Sequence, residues 1–167
     1  MAKENKPGIG SYKSLVVYKK TILIYNITHF FCTTFLDSKD RTVDQMIQAA
    51  RSGKQNIVEG CSAATTSRST EIKLISVAKA SLKELLEDFE DYLRVRGLAQ
   101  WQDSSSEKDT WRLICRKQYD CIFYSEEIKK SPPEKIANIA IVLLYQEDYL
   151  LYRQLRKLEE VFKSGRP

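Results

Sequence analysis

Histidine is almost missing from this sequence, and that scarcity removes much catalytic chemistry at the outset. His29 is the single histidine among 167 residues. No histidine pair can therefore hold a metal, and any serine–histidine–aspartate arrangement would have to use this one ring. His29 falls in an apolar helical stretch with no patterned serine or cysteine partner, so a packed, hydrogen-bonded imidazole is expected. The four cysteines (Cys32, Cys61, Cys115 and Cys121) form no CxxC pair. That spacing argues against a zinc site or a disulfide framework, and for buried free thiols in a reducing compartment. Glycine and proline total ten residues and stand at the ends of periodic segments. No stretch alternates with the period of a strand, and no internal repeat is present.

Long apolar runs are missing as well. The two strongest, 22–36 (broken by Asn26 and His29) and 136–145, fall short of the roughly 20 apolar residues a membrane span needs. The opening residues, Met1 to Gly8, lack the apolar core of a signal peptide. A cytoplasmic, soluble chain with no membrane partner is expected. Its length suits one domain over 1–167 with a proper core.

Helical periodicity fills most of the chain. The first helix is predicted from about Tyr12 to Phe35, apolar on more than one side. The second places Val43, Met46, Ala50, Gly53 and Ile57 on one stripe, with Arg41, Arg51, Gln55 and Glu59 opposite, and stops at Gly60. The third, with Glu71 in its first turn, repeats Ile72, Ile75, Leu82, Phe89 and Leu93 at near-heptad spacing and closes at Gly97. The last opens at Ser131-Pro-Pro-Glu134 as a capping box and runs to about Lys163. The expected fold is all-α: an antiparallel up-down four-helix bundle. Residues 98–131 form an insertion carrying one additional short helix, capped at Ser104-Ser-Ser-Glu107 and running through Tyr124.

Candidate chemistry reduces to charge. Gly53-Lys54 hints at a phosphate loop, but Gln48 stands where a glycine is required and Gln55 where serine or threonine is. Lys54 is expected to lay its stem along a neighbour. The acidic run of Glu84, Glu87, Asp88, Glu90 and Asp91 lacks a Glu-x-x-His partner on another helix. It reads as a solvated face, partly paired to Lys83 and Arg94. No catalytic residue, metal ligand or cofactor is assigned, and no enzyme is expected. The net charge of +5 is uneven: residues 1–60 hold nine Lys/Arg against five Asp/Glu, whereas 101–128 come to −2. Lys13, Lys19, Lys20, Arg41, Arg51 and Lys54 would share a basic surface on the first two helices. Such a surface could neutralise the phosphates of RNA or DNA, or serve solubility alone. Tyr12, Tyr18 and Tyr25 could stack on bases, although packing is the expectation for each.

Two segments carry a resemblance. Tyr12-Lys-Ser-Leu-Val-Val-Tyr-Lys-Lys20 is similar to a family opening, Y-x-x-L-x-V-W-x-K, with Tyr18 where tryptophan is usual. Ala49-Ala-Arg-Ser-Gly-Lys-Gln-Asn-Ile-Val-Glu-Gly60 resembles the signature R-x-A-x-S-I-x-x-N-I-A-E-G, with Asn56, Ile57, Glu59 and Gly60 on matching positions. Glu71 through Leu93 is similar to the helix that follows. The family is that of four-helix-bundle proteins encoded in 23S rRNA intervening sequences, which includes the accessory variability determinant of diversity-generating retroelements. The Arg51–Gln55 variant, the insertion and the late Tyr145–Phe162 helix look most like its four-helix-bundle suffix branch. The resemblance implies a bacterial origin, a homopentamer, a basic surface binding RNA or DNA, a reverse transcriptase as partner in the retroelement branch, and no enzyme activity.

Two roles follow. One is an oligomeric nucleic-acid-binding accessory protein using the basic residues above. The other is a structural or protein-interaction module in which Arg51, Gln55, Asn56 and Glu59 bond across a subunit interface and nucleic acid does not bind.

Overall fold

The computed structural model describes residues 15–165. Their regular structure is all helical: α1 (Val16–Phe35), α2 (Arg41–Ala63), α3 (Arg68–Val95), α4 (Ser106–Lys117), α5 (Cys121–Lys129) and α6 (Pro133–Lys163). No described residue lies in a strand. Each of the four long helices packs on two others, in the cyclic order α1, α2, α3, α6. Helix α4 lies on α6, and α5 on α1. No described helix is long and apolar enough to cross a membrane.

Small residues decide how closely α2 meets α3. A Cβ at Gly53 would fall 2.5 Å from Leu82 Cδ2, and one at Gly60 would fall 2.9 Å from Ile75 Cδ1. Both glycines are buried, and the bare backbone lets the leucine and isoleucine seat directly on it. Beside them Ser52 Oγ and Ser81 Oγ bond at 2.8 Å. On the other side of the core, Phe31 of α1 meets Phe89 of α3 at 5.2 Å between ring centroids and Tyr92 edge-on at 4.7 Å. Edge-to-face pairs at such distances add to the gain from burial alone.

Helix α6 is buried at nine successive positions, Ile136 through Leu144. A helix apolar on every side needs cover on every side. Helices α1 and α3 flank it, and the segment from Leu98 to Ser131 supplies a further layer. Asn138 secures that layer: its Oδ1 accepts from Trp101 N at 2.8 Å, and its Nδ2 donates to Ala99 O at 2.9 Å and Glu134 O at 3.0 Å. Trp111, Cys115, Tyr124 and Ile128 bury their side chains beneath the same segment.

Several local expectations change. The inserted segment holds two helices, because Asp120 caps a new one by accepting from Ile122 N and breaks the run at Gln118. The cap of α4 is Ser105, not Ser104. Helix α2 continues past Gly60 to Ala63, since Gly60 serves close packing and not termination. Ser131 does not cap α6; its hydroxyl donates to Glu127 O, and Pro132 takes the cap position. Glu134 reaches away from its own helix to accept from Ala99 N. His29 is exposed beside the Tyr25 ring, on the side of α1 turned from the core. The expected start of the first helix at Tyr12 lies outside the described residues.

Substitution Gly53→Ala should destabilise the fold by about 1–3 kcal/mol through overpacking against Leu82. Gly60→Ala should cost less, because its nearest approach is 2.9 Å to a terminal carbon, whereas a Cβ at Gly53 also meets the Leu82 branch carbon Cγ at 2.6 Å. Urea denaturation of the two variants checks the order; equal midpoints would contradict it.

Candidate functional site

The basic residues singled out on α1 and α2 do not form one patch. Lys19, in the first turn of α1, is exposed, whereas Arg41 opens α2 beyond the other end of α1. Sixteen residues of helix separate Lys19 from Phe35, about 24 Å at 1.5 Å per residue. Arg51 is exposed on the α2 flank, and Lys54 is half-buried with its ammonium 4.5 Å from the centre of the Tyr25 ring. Lys13 lies outside the described residues. Lys20 differs from the others: it is 2 % exposed and borders a cleft, not the open face of α1.

For the proposed interface set, Arg51, Gln55 and Glu59 are exposed at four-residue steps along α2. Asn56 is half-buried, donating to Ser52 O at 2.9 Å and Ser52 Oγ at 3.2 Å. Its amide is already engaged within the chain.

The insertion instead brings a different group together. A cleft of about 680 Å³ opens between the start of α1, the α3–α4 loop, α4 and α6. Four cationic side chains line it (Lys20, Lys108, Arg112 and Arg116) against one carboxylate, Asp103. Tyr119, Tyr145 and Tyr149 also border it. Asp103 accepts from Lys108 at 3.0 Å and Arg112 at 2.7 Å, bonds that hold its carboxyl below the usual range. Arg116 is exposed on the rim. The Tyr145 hydroxyl donates to Glu90 Oε1 at 2.7 Å, which fixes the orientation of its ring.

Lys20 forms the inner end of this cleft. Its ammonium donates to Cys115 O and, at 2.7 Å, to Gln146 Oε1, and lies 5.2 Å from the centre of the Tyr119 ring. Burial pulls its pKa down, opposed by the neighbouring Cys115 and Glu147. Gln146 in turn donates through Nε2 to Arg112 O at 3.0 Å, tying α6 to α4.

Behind Lys20 sits Glu147, fully buried. Thr21 Oγ1 lies 2.6 Å from Val17 O and 2.8 Å from Glu147 Oε1. One hydroxyl has one proton and cannot donate to both acceptors. Both contacts are satisfied when Glu147 carries a proton and donates it to Thr21, while Thr21 donates to Val17. Burial agrees, pushing the carboxyl up from 4.5 to about 8 against the opposing effects of Thr21 and Lys20. Glu147 Oε2 has no partner, as suits a neutral acid better than a carboxylate.

The sequence does carry a signal for this site. Lys108, Arg112 and Arg116 recur at four-residue steps, as do Tyr145 and Tyr149. Glu147 interrupts the apolar series Leu143–Leu151 at the same spacing. The −2 balance of residues 101–128 masks this basic face, to which only Asp103 and Asp109 are paired, while Asp120 caps α5. Among the described residues no group of three or more His, Cys, Asp or Glu could hold a metal.

The raised Glu147 pKa has a definite sign. Between the unfolded value near 4.5 and about 8, the folded state holds a proton that the unfolded state releases. Stability therefore falls as pH rises through that window and levels off above it. Glu147→Gln removes the penalty, so its advantage over the parent should grow from pH 5 to pH 8 by up to about 1.4 kcal/mol per unit. Urea unfolding at both values checks this; a difference independent of pH would contradict a protonated Glu147.

No protein-family model, no curated protein and no solved structure matches the chain.

Proposed function

We propose that this chain is a non-enzymatic, oligomeric helical protein that binds RNA or DNA, with its long helices arranged as an antiparallel up-down four-helix bundle. Contact order supports the arrangement. Cys32 meets Met46 and Tyr25 meets Lys54, so α1 and α2 advance in opposite directions. Ser52 with Ser81 and Gly60 with Ile75 do the same for α2 and α3. Lys79 with Asp148 at 2.9 Å, and Glu90 with Tyr145, do so for α3 and α6.

The observation that carries the binding role is the gathering of four cations and three tyrosines around one cleft. Exposed Lys19, its ammonium 5.9 Å from the centre of the Tyr119 ring, extends its basic rim. Cations attract the backbone irrespective of sequence, and aromatic faces accept unpaired bases. In an oligomer each copy adds its own cleft, which multiplies a modest charge. The pentamer and the reverse transcriptase partner rest on the family resemblance alone.

A second reading, a protein-interaction module, is favoured by α2. Arg51, Gln55 and Glu59 form an exposed polar ladder whose side chains make no hydrogen bond or ion pair with other described residues. Such groups suit bonds across a subunit interface.

Filter binding of a single-stranded oligonucleotide should be tight at low salt and weaken steeply as salt rises. Lys19→Ala and Arg116→Ala should each lower the slope of log affinity against log salt by roughly one. Absence of binding at low salt would leave the interaction module as the reading. Light scattering of the parent and of Glu59→Ala addresses that module: a smaller assembly in the variant supports the α2 interface, and an unchanged mass removes it.

A further inference from the structure

We infer that the cleft between α1, α4 and α6 seats one phosphorylated nucleotide, its phosphate on Lys20, Arg112 and Arg116 and its base against Tyr145 and Tyr149. This deepens the nucleic-acid reading and rests on it.

The strongest reason is Lys20. A buried ammonium is costly unless an opposite charge or a full set of acceptors compensates it. Lys20 forms no ion pair with a described residue, and two of its three donors are taken, by Cys115 O and Gln146 Oε1. The one carboxyl group behind it, Glu147, is itself held above the ordinary carboxylate range by burial and so compensates the ammonium only in part. Lys20 borders the cleft, so an anion entering there reaches the remaining donor. Attraction at such a recessed site is screened far less than at an exposed lysine.

The surroundings fit a phosphate ester better than a bare ion. Arg112 and Arg116, one turn apart on α4, border the same cleft as Lys20, and guanidinium forks match phosphate oxygens. Arg112 already bonds to Asp103 and Asp109, whereas Arg116 has no ion pair with a described residue and is available. Tyr145 and Tyr149 stand one turn apart on α6 and are about half exposed. Tyr145 is held by Glu90 and Tyr149 by the guanidinium of Arg153, 5.9 Å from its ring centre. The hydrogen-bonded Tyr145 ring is placed before any ligand arrives, which lowers the ordering cost of stacking. Val16, Val142 and Leu150 complete an apolar wall suited to a base or sugar. The volume lies within the range of small-ligand sites. A paired base in a duplex cannot present its ring face to a tyrosine; a free nucleotide or an unpaired one at the end of a strand can.

The test is calorimetric titration of the full chain with adenosine 5′-monophosphate, adenosine, inorganic phosphate, a 5′-phosphorylated single strand, the same strand with a 5′-hydroxyl, and a blunt duplex. The nucleotide should bind about tenfold or more tighter than adenosine or phosphate alone, since it engages both the cations and the rings. Arg116→Ala and Tyr149→Ala, both at exposed positions and checked by unchanged thermal melting, should each weaken it about tenfold. If the phosphorylated strand competes with the nucleotide, and the hydroxyl strand and duplex do not, a strand end is the source. If the nucleotide binds and no strand does, the free nucleotide is the ligand: the cleft assignment holds and the nucleic-acid reading falls. If strands bind in a salt-dependent way but are neither displaced by the nucleotide nor weakened by the two variants, the cleft assignment is overturned and the nucleic-acid reading stands. Failure of both nucleotide and phosphorylated strand to bind overturns the cleft assignment outright.

Discussion

Complete enclosure of the first half of α6 is the constraint on which the rest of this molecule depends. Nine consecutive buried positions from Ile136 to Leu144 leave no side of that helix fit for water. Two flanking helices cannot wrap a third all the way round, so a further layer is required. The segment from Leu98 to Ser131 provides it, held in register by the two hydrogen bonds from Asn138 to Ala99 and Trp101. The insertion is therefore part of the core. Its position over α6 is also what places the cationic face of α4 beside the α6 tyrosines.

Where the covering layer meets α1, the interior becomes polar. Lys20, Thr21, Gln146 and Glu147 form a small network joined to α4 through Cys115 O and Arg112 O. Networks of this kind are costly when incompletely satisfied. Here Glu147 Oε2 stays unpartnered and Lys20 retains a spare donor, so the network sacrifices stability. Sites that sacrifice stability in this way are frequent where ligands bind. The Cys115 thiol beside this network gives no sign of reactivity, because burial pushes it up to about 11.

Much of the helical plan was legible because apolar spacing and glycine or serine punctuation directly reflect burial and backbone satisfaction. The stripe of α2, the heptad-like run of α3 and the Gly97 stop, at φ +65°, all follow from those two causes. Gly60 misled because glycine has two uses, ending helices and admitting close neighbours, and only the position of Ile75 distinguishes them. Asp120 divided the insertion for a reason visible only locally, its bond to Ile122 N. The cleft was less legible because it is assembled from three segments far apart in the chain. Lys20 looked like its exposed neighbour Lys19, and nothing in its own segment reveals that α4 will cover it.

The order of the segments along the chain also bears on folding during synthesis. Helices α1, α2 and α3 emerge first, yet the trough between α1 and α3 is filled only by residues 136–144. Until that stretch leaves the ribosome, the faces of α1 and α3 that pack on α6 belong to a half-built interior with an unfilled seam. Exposed seams of this kind invite association with other chains and engagement by chaperones. The nascent protein is thus most vulnerable while its covering layer is complete in sequence and has nothing yet to cover.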